Sequence, residues 1–226
     1  TLYLQSSSGG LYGDDDLELR VSIGDGASAH VTTQASTIVH SARGGQTRQH
    51  VHLALGQDSY LEYLPDPAIL FAGAHLRSEV TADLRAGARL ILCDSALSHD
   101  PNGQDVPFDR FANTLKITGE DGTPILLDRS DVTGEAWAAR TRRLPVHGLM
   151  SVAGAIDAQA AADAITQSLP AQDSDVYCAI STLPERNLCT CRVLAADGAS
   201  FTQGMEAAWR AARMALIGTF PEIRRK

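Results

Sequence analysis

Aromatic residues, cysteines and long apolar runs are all scarce in this sequence of 226 residues. No run of about 18 apolar residues occurs, which argues against a membrane-spanning helix. The start at Thr1 lacks the basic and then apolar pattern of a secretory signal. Four cysteines are too few for a disulfide framework in a chain of this length. We therefore expect a cytoplasmic protein with reduced thiols and no membrane contact.

Positive charge is also in short supply. Lys and Arg together number 19 against 27 Asp and Glu, which gives a net charge of -8. Nucleic-acid-binding proteins concentrate Lys and Arg on one face, so a nucleic-acid partner is disfavoured. Because 44% of the residues are hydrophobic, the chain is able to bury a sizeable core.

The first half of the chain has the pattern of successive β-strands. Apolar and polar residues alternate strictly over residues 17–23 and again over residues 51–55, as in half-buried strands. Turns containing Gly or Asp recur about every 30 residues, a period typical of stacked β-units. They lie at residues 24–27, 56–59, 85–88 and 119–123. The pattern predicts an elongated, stacked β-body, although a simple all-β protein with repeated Gly turns also fits.

Two helices and a hairpin are predicted after Gly148. Asp157 is placed to cap a helix whose apolar face ends near Leu169, before Pro170. Strands over residues 176–181 and 188–194 form the hairpin, and Ser200 is expected to cap a second helix that stops near Gly218. The predicted fold class is mainly β with two α-helices toward the C-terminus. We expect a single domain, with a β-rich body over residues 1–150 and a helix-hairpin-helix part over residues 151–226.

Motifs for common catalytic chemistry are missing from the sequence. There is no phosphate-binding loop ending in Lys-Ser or Lys-Thr, no dinucleotide fingerprint and no Gly-x-Ser-x-Gly elbow. Trp137 falls in a stretch that reads as a loop. An NTPase or a standard hydrolase is therefore disfavoured, and we expect no enzymatic activity.

Two groups of residues have metal-ligand spacing. His50 and His52 share the polar side of one strand, which suits a metal with two nitrogen ligands, but no third ligand is evident. Cys178, Cys189 and Cys191 are expected on one face of the hairpin, where three thiols suit a soft ion. Solvated histidines and small buried thiols are the favoured interpretations of these groups.

A resemblance to a known family begins at residues 8–17 (SGGLYGDDDL). This segment resembles the Gly-Gly-Leu-x-Gly-Gly-Asp-x-Leu signature of the UreD/UreH urease accessory proteins, with Asp15 at the family's Asp. Further blocks in the same order are similar to that family. They are residues 31–37 (VTTQAST), 61–67 (LEYLPDP), 71–74 (FAGA), 83–90 (DLRAGARL) and the closing hairpin and helix with Leu183, Pro184, Leu188, Arg192, Val193, Leu194, Trp209 and Arg213.

The resemblance implies a non-catalytic urease maturation factor. Such a scaffold binds apo-urease together with a second accessory protein (UreF-like) and a nickel-carrying GTPase (UreG-like). No tightly bound cofactor is implied, only transient Ni²⁺ on an interior path lined by oxygen ligands. The acids in or near the matching blocks are the expected nickel-path residues: Asp15, Glu62, Asp66 and Asp128. Thr32, Thr33 and Gln34 are expected to line the interior or to bond neighbouring backbone groups.

The sequence departs from the family pattern in three places. Only eight residues precede Gly9, whereas relatives usually carry a longer stretch there, so a first strand or two is expected to be absent. Residues 98–108 do not match the family's Gly-Arg-containing segment. Asp14 stands where relatives typically have Gly, which makes this loop more acidic.

Two other classes of function remain as alternatives. A β-solenoid that binds or cleaves carbohydrate would use a carboxylate pair such as Asp94 and Asp128. The aromatic content of 5% argues against it, because sugar sites commonly stack on Trp or Tyr. A plain interaction module without a metal role is the third interpretation.

Overall fold

A computed structural model describes residues 1–141, 143–169 and 175–220. Within these ranges the chain forms fourteen strands and three α-helices. The strands are β1 (Leu2–Leu4), β2 (Asp16–Ile23), β3 (Ser28–Thr33), β4 (Ile38–Val39), β5 (Thr47–Leu55), β6 (Tyr60–Tyr63), β7 (Ala68–Leu70), β8 (His75–Leu84), β9 (Arg89–Ser98), β10 (Arg110–Thr118), β11 (Pro124–Thr133), β12 (Val146–Gly154), β13 (Val176–Leu183) and β14 (Leu188–Ala195). The helices are α1 (Gly134–Thr141), α2 (Ala158–Ser168) and α3 (Gly198–Ile217).

One sheet, called sheet B here, has the strand order β11-β10-β8-β5-β2. Strands β2, β5, β8 and β10 run parallel, and Leu19, Val51, Val80 and Leu115 are register partners across them. Because side chains alternate along a strand, this register places every second residue in the interior and its neighbours in solvent. The alternation predicted for residues 17–23 and 51–55 is therefore confirmed.

The turns between these strands stack on one another. The amide of Gly26 donates to the carbonyl of Gln57, and the amide of Asp58 donates to the carbonyl of Ala86. Gly87 has φ of +72°, and a Cβ at this position would overlap the carboxylate of Asp58. Glycine is thus required twice over here, by the left-handed backbone and by the close neighbour. The roughly 30-residue spacing of the turns reflects a stacked β-arrangement, and the predicted fold class is confirmed.

The second sheet, sheet A, contains the path β1-β3-β6-β9-β12-β14-β13, with the short strands β4 and β7 beside it. One face of sheet A packs on sheet B, and the other is covered by α2 and α3. The core between sheet A and these helices includes Met150 and Val193 from the sheet and Phe201 and Trp209 from α3. The interior between the sheets therefore lies one layer away from the helices.

The predicted C-terminal elements occur with small differences. Asp157 caps α2, since its side chain accepts from the amide of Ala160, and β13 and β14 form the predicted hairpin. The cap of α3 was predicted wrongly: it is Asp197, whose carboxylate accepts from the amide of Ser200. An Asp three residues before a free amide fits the N-cap geometry, so the helix begins at Gly198. Pro170 and most of the linker after it lie outside the described residues.

The loop predicted around Trp137 is instead helix α1. Trp137 is buried against Phe108 and Phe111, and its indole N–H donates to the carbonyl of Pro145. Only eight residues long, α1 lacks the extended apolar stripe that marks a helix in a sequence.

Candidate functional site

A row of polar side chains crosses the apolar interior between the two sheets. In sheet B, Gln49, Ser78 and Asn113 are register partners on β5, β8 and β10. Two residues further along these strands lie the apolar register partners Val51, Val80 and Leu115, which belong to one core cluster. Two residues before Ser78 and Asn113 lie Leu76 and Phe111, which belong to another core cluster. We call the row, with the charged residues that face it, the polar layer: Gln49, Ser78, Asn113 and Asp128 from sheet B, and Asp94 and Arg192 from sheet A.

Asp94 is the carboxylate in the middle of the polar layer. Burial raises the pKa of Asp94, and the nearby negative charge of Asp128 raises it further, while the hydrogen bond from the Asn113 amide opposes both. The amide oxygen of Asn113 is buried without a hydrogen-bond partner among the described residues. A carboxylate whose charge is disfavoured by its surroundings, beside a carbonyl oxygen without a partner, is a setting that favours a cation.

A cavity of about 500 Å³ adjoins Asp94. Its inner wall includes Gln49, Ser78 and Asp94. Its outer wall is formed by residues near β1 and β2, including Gln34 and Leu17. The cavity therefore runs from the β1 and β2 side of the sandwich to the centre of the polar layer.

The opposite side of the polar layer is closed by an ion pair. The guanidinium of Arg192 on β14 donates to the carboxylate of Asp128 on β11. The Arg192 side chain is 49% exposed and that of Asp128 is 20% exposed. Burial lowers the pKa of His147, and the positive charge of Arg192 lowers it further, which places this imidazole near the same end.

Two of the predicted nickel-path acids, Asp128 and Asp66, face the space between the two sheets, and they lie in different parts of it. Asp128 belongs to the polar layer. Asp66 is half-buried and lines both the cavity beside Asp94 and a second cavity of about 570 Å³ beneath α3. The amide of Asp66 donates to the hydroxyl of Thr33, which ties the loop after β6 to the end of β3.

The predicted polar run over residues 32–34 divides between two roles. Thr32 is fully buried, and its hydroxyl donates to the carbonyl of Leu64 at 2.6 Å. Thr33 bonds the loop as described, and Gln34 lines the cavity. Thr32 therefore serves a backbone carbonyl as its hydrogen-bond donor, whereas Gln34 faces the cavity beside Asp94.

Glu62 is fully buried on the helix side of sheet A, with both of its oxygens occupied. One accepts from the hydroxyl of Tyr60 at 2.6 Å and the indole of Trp209 at 3.0 Å. The other accepts from the ring of His30 at 2.6 Å and the guanidinium of Arg213 at 2.7 Å. Burial alone would raise the pKa of Glu62, but these four donors hold it at about 2. A metal ion at Glu62 would have to displace one of them.

Asp15 lies in the signature loop of residues 8–17, which is built around close backbone approaches. A Cβ at Gly10 would overlap the carbonyl of Ile38, and one at Gly13 that of Ala42. Asp15 accepts from the amide of Tyr12 at 2.8 Å, so its carboxylate closes the turn. Asp14 has φ of +68°, a conformation that glycine adopts most easily and that Asp tolerates.

His50 and His52 point to solvent from the outer face of sheet B, each about two-fifths exposed. The ring nitrogens of His50 lie 3.9 Å from Asp16 and from Glu79, and His52 lies 3.7 Å from Asp83. Among the described residues no three His, Cys, Asp or Glu side chains are arranged to hold a metal ion. The predicted metal role of this pair stays a prediction.

Cys178, Cys189 and Cys191 share the buried face of the hairpin with Val193. Their common face agrees with the predicted geometry. Burial raises the pKa of Cys189 to about 11, so its thiol is protonated at neutral pH and is a poor ligand in that form. These thiols contribute to the core beneath α2 and α3.

Sequence reasoning missed Asn113 as a member of the site and did not connect Arg192 with Asp128. A signal for Asn113 exists, because it occupies an inward position between Phe111 and Leu115 in an alternating strand. No comparable signal links Arg192 to Asp128, since they lie 64 residues apart and on different sheets.

Comparison with known proteins identifies the class to which this architecture belongs. The whole chain, residues 1–226, matches the family model described as UreD urease accessory protein. A protein from Methylorubrum populi named urease accessory protein UreD 1 is 41% identical over 230 residues, covering all of this chain and 78% of that protein. A protein of the same name from Pseudomonas syringae pv. syringae is 35% identical over 237 residues, covering all of this chain and 80% of that protein.

The chain belongs to the UreD family of urease accessory proteins. This membership confirms the resemblance of the sequence blocks and places the chain in urease maturation. An accessory role agrees with the expectation of a non-enzyme. The carbohydrate alternative gains no support, since Asp128 of its carboxylate pair is bound to Arg192.

Helices of sufficient length and apolarity to span a membrane do not occur in the described part of the chain.

Proposed function

We propose that this protein is a non-catalytic scaffold that binds apo-urease, with a UreF-like accessory protein and a UreG-like nickel-carrying GTPase, and conducts Ni²⁺ toward the urease active site. The observation that carries the nickel part is the cavity that leads to the half-buried carboxylate of Asp94. Family membership supports the urease part.

The chemistry of the polar layer suits transient rather than permanent binding. Its potential ligands are carboxylate, amide and hydroxyl oxygens, from Asp94, Asn113 and Ser78. Ni²⁺ binds nitrogen and sulfur ligands more tightly than such oxygen ligands, so an oxygen-lined path releases the ion readily. Asp66 provides a further carboxylate at the cavity wall.

Asp15 and Glu62 fit the proposal in another way. Asp15 closes the turn of the signature loop, and Glu62 joins sheet A to α3. Both maintain the framework that supports the cavity, and neither lines it. We assign the nickel path to Asp66, Asp94 and Asp128.

Co-expression with the urease subunits and the other accessory proteins tests this proposal. The wild-type chain is expected to co-purify with them and to raise both the nickel content and the activity of urease. Asp94→Asn is expected to lower the nickel content severalfold while the complex still forms, because it removes the interior charge and keeps the side-chain shape. Asp163→Asn, on the exposed face of α2, is the matched control. Unchanged urease nickel without this chain would refute the function, and unchanged nickel with Asp94→Asn would refute the path.

A further inference from the structure

The polar layer has an opening on one side and an ion pair on the other. A conduit needs two openings, and the cavity beside Asp94 reaches solvent from the β1 and β2 side. On the far side, the space between β11 and β14 is bridged by Asp128 and Arg192. We propose that Arg192 is the gate of the second opening and the internal counter-ion that a passing divalent cation displaces. This inference rests on the proposed function.

The register of sheet A places the gate beside the interior carboxylate. Asp94 and Arg192 are both partners of Leu149, on opposite sides of β12. The guanidinium extends from sheet A across to Asp128 on sheet B, so it closes the gap between the two sheets. No other strand of sheet B lies beyond β11 on this side within the described part of the chain.

The exposure of Arg192 allows the ion pair with Asp128 to open. Half of the Arg192 side chain is in water, so the guanidinium is able to exchange Asp128 for solvent, while the Asp128 carboxylate is 20% exposed. A deeply buried pair would not open so readily, because an unpaired buried charge is strongly unfavourable. The flexible stem of Arg192 permits the movement without a change in β14.

The charges explain why an ion would leave. With Arg192 in place, the carboxylate of Asp128 is already balanced, and a divalent cation at Asp94 has a positive charge two strands away in the same register. When Arg192 turns out to solvent, Asp128 becomes available as the next ligand toward the second opening. Arg192 therefore weakens the binding of the cation and sets the direction in which it departs.

Equilibrium dialysis of the purified chain against Ni²⁺ alone tests the gate. Arg192→Gln is expected to bind Ni²⁺ about fivefold or more tightly than the wild type, since it removes a competing positive charge two strands from Asp94. Arg129→Gln is the matched control, because Arg129 neighbours Asp128 on β11, is exposed and carries the same charge. Arg192→Lys keeps the charge and is expected to retain the wild-type affinity.

Equal affinities for Arg192→Gln and Arg129→Gln would overturn the gate. Arg192→Met removes the charge with an apolar side chain of similar length, so it provides the same test if the Gln variant fails to fold. The outcomes for the two proposals differ. A wild-type chain that neither binds Ni²⁺ nor raises the nickel content of urease refutes the proposed function, whereas normal binding that is insensitive to Arg192 refutes only the gate.

Discussion

The carboxylate of Glu62 and the guanidinium of Arg213 lie 2.7 Å apart, although 151 residues separate them in the chain. The contact joins the middle of sheet A to the C-terminal half of α3. Trp209, one helical turn earlier, donates to the same carboxylate. Two side chains of α3 thus converge on one buried acid, which fixes how the helix lies on the sheet.

Removal of the Glu62 carboxylate is expected to destabilise the protein strongly. Glu62→Ala leaves the Arg213 guanidinium and the Tyr60 hydroxyl without their acceptor, and breaking a buried charged pair costs roughly 3–5 kcal/mol. Chemical denaturation monitored by Trp fluorescence measures the change in free energy of unfolding. Glu206→Ala removes an exposed acid from the same helix and is expected to cost less than about 1 kcal/mol. Similar losses for the two variants would show that Glu62 is not the anchor of α3.

Acid is expected to weaken the same anchor. The pKa of Glu62 is about 2 in the folded protein, below its ordinary value of 4.5, so its contribution to stability is complete above the ordinary value. This contribution is lost as the pH falls from about 4.5 toward 2. The difference in unfolding free energy between wild type and Glu62→Gln should shrink over this window. A difference that is constant with pH would contradict the ionised state of Glu62.

Asp94 is expected to show the opposite behaviour. Its pKa is raised by burial, so holding it charged costs stability at pH values above the ordinary pKa of an aspartate. Asp94→Asn removes this cost and should raise the melting temperature at pH 7 by about 2–4 °C. The gain should disappear at acidic pH, where the wild-type carboxyl is protonated. Scanning calorimetry at both pH values checks this, and a lower melting temperature at pH 7 would contradict it.

The turn glycines allow a test of the stacked architecture. Gly87 and Gly26 both have positive φ, but a Cβ at Gly87 meets the Asp58 carboxylate whereas one at Gly26 meets open space. Gly26→Ala is expected to cost about 1–2 kcal/mol from backbone strain alone. Gly87→Ala should cost more, because the neighbouring turn must also move. Equal costs in denaturant titrations would mean that the turns do not constrain one another.

Much of the fold follows from local patterns. The alternation around Leu19 and Val51 depends only on which face of a strand is buried, so it is visible in the sequence. Asp157 and the apolar stripe of α2 are equally local. Helix α1 was not predicted because it is short and is stabilised by the packing of Trp137. Such tertiary contacts are not visible in a local sequence pattern.

The site was less accessible to sequence reasoning. Glu62, Asp66 and Asp128 were all selected as acids in or near family blocks, but their different surroundings depend on which strands become neighbours. Glu62 is saturated by donors from β3, β6 and α3, while Asp128 meets a cation from the other sheet. Pairing partners on separate sheets leave no spacing signal, so the ion pair of Asp128 and Arg192 required the structure.

The polar layer also has a consequence for how the molecule opens. It separates the apolar cluster around Leu53 and Leu92 from the one around Val39 and Trp137. Cooperative unfolding spreads through continuous apolar contact, and it weakens where such contact is interrupted. We therefore expect the end of the molecule that contains Trp137 and the signature loop to exchange its amide hydrogens by an opening of its own, while the rest of the sandwich stays closed.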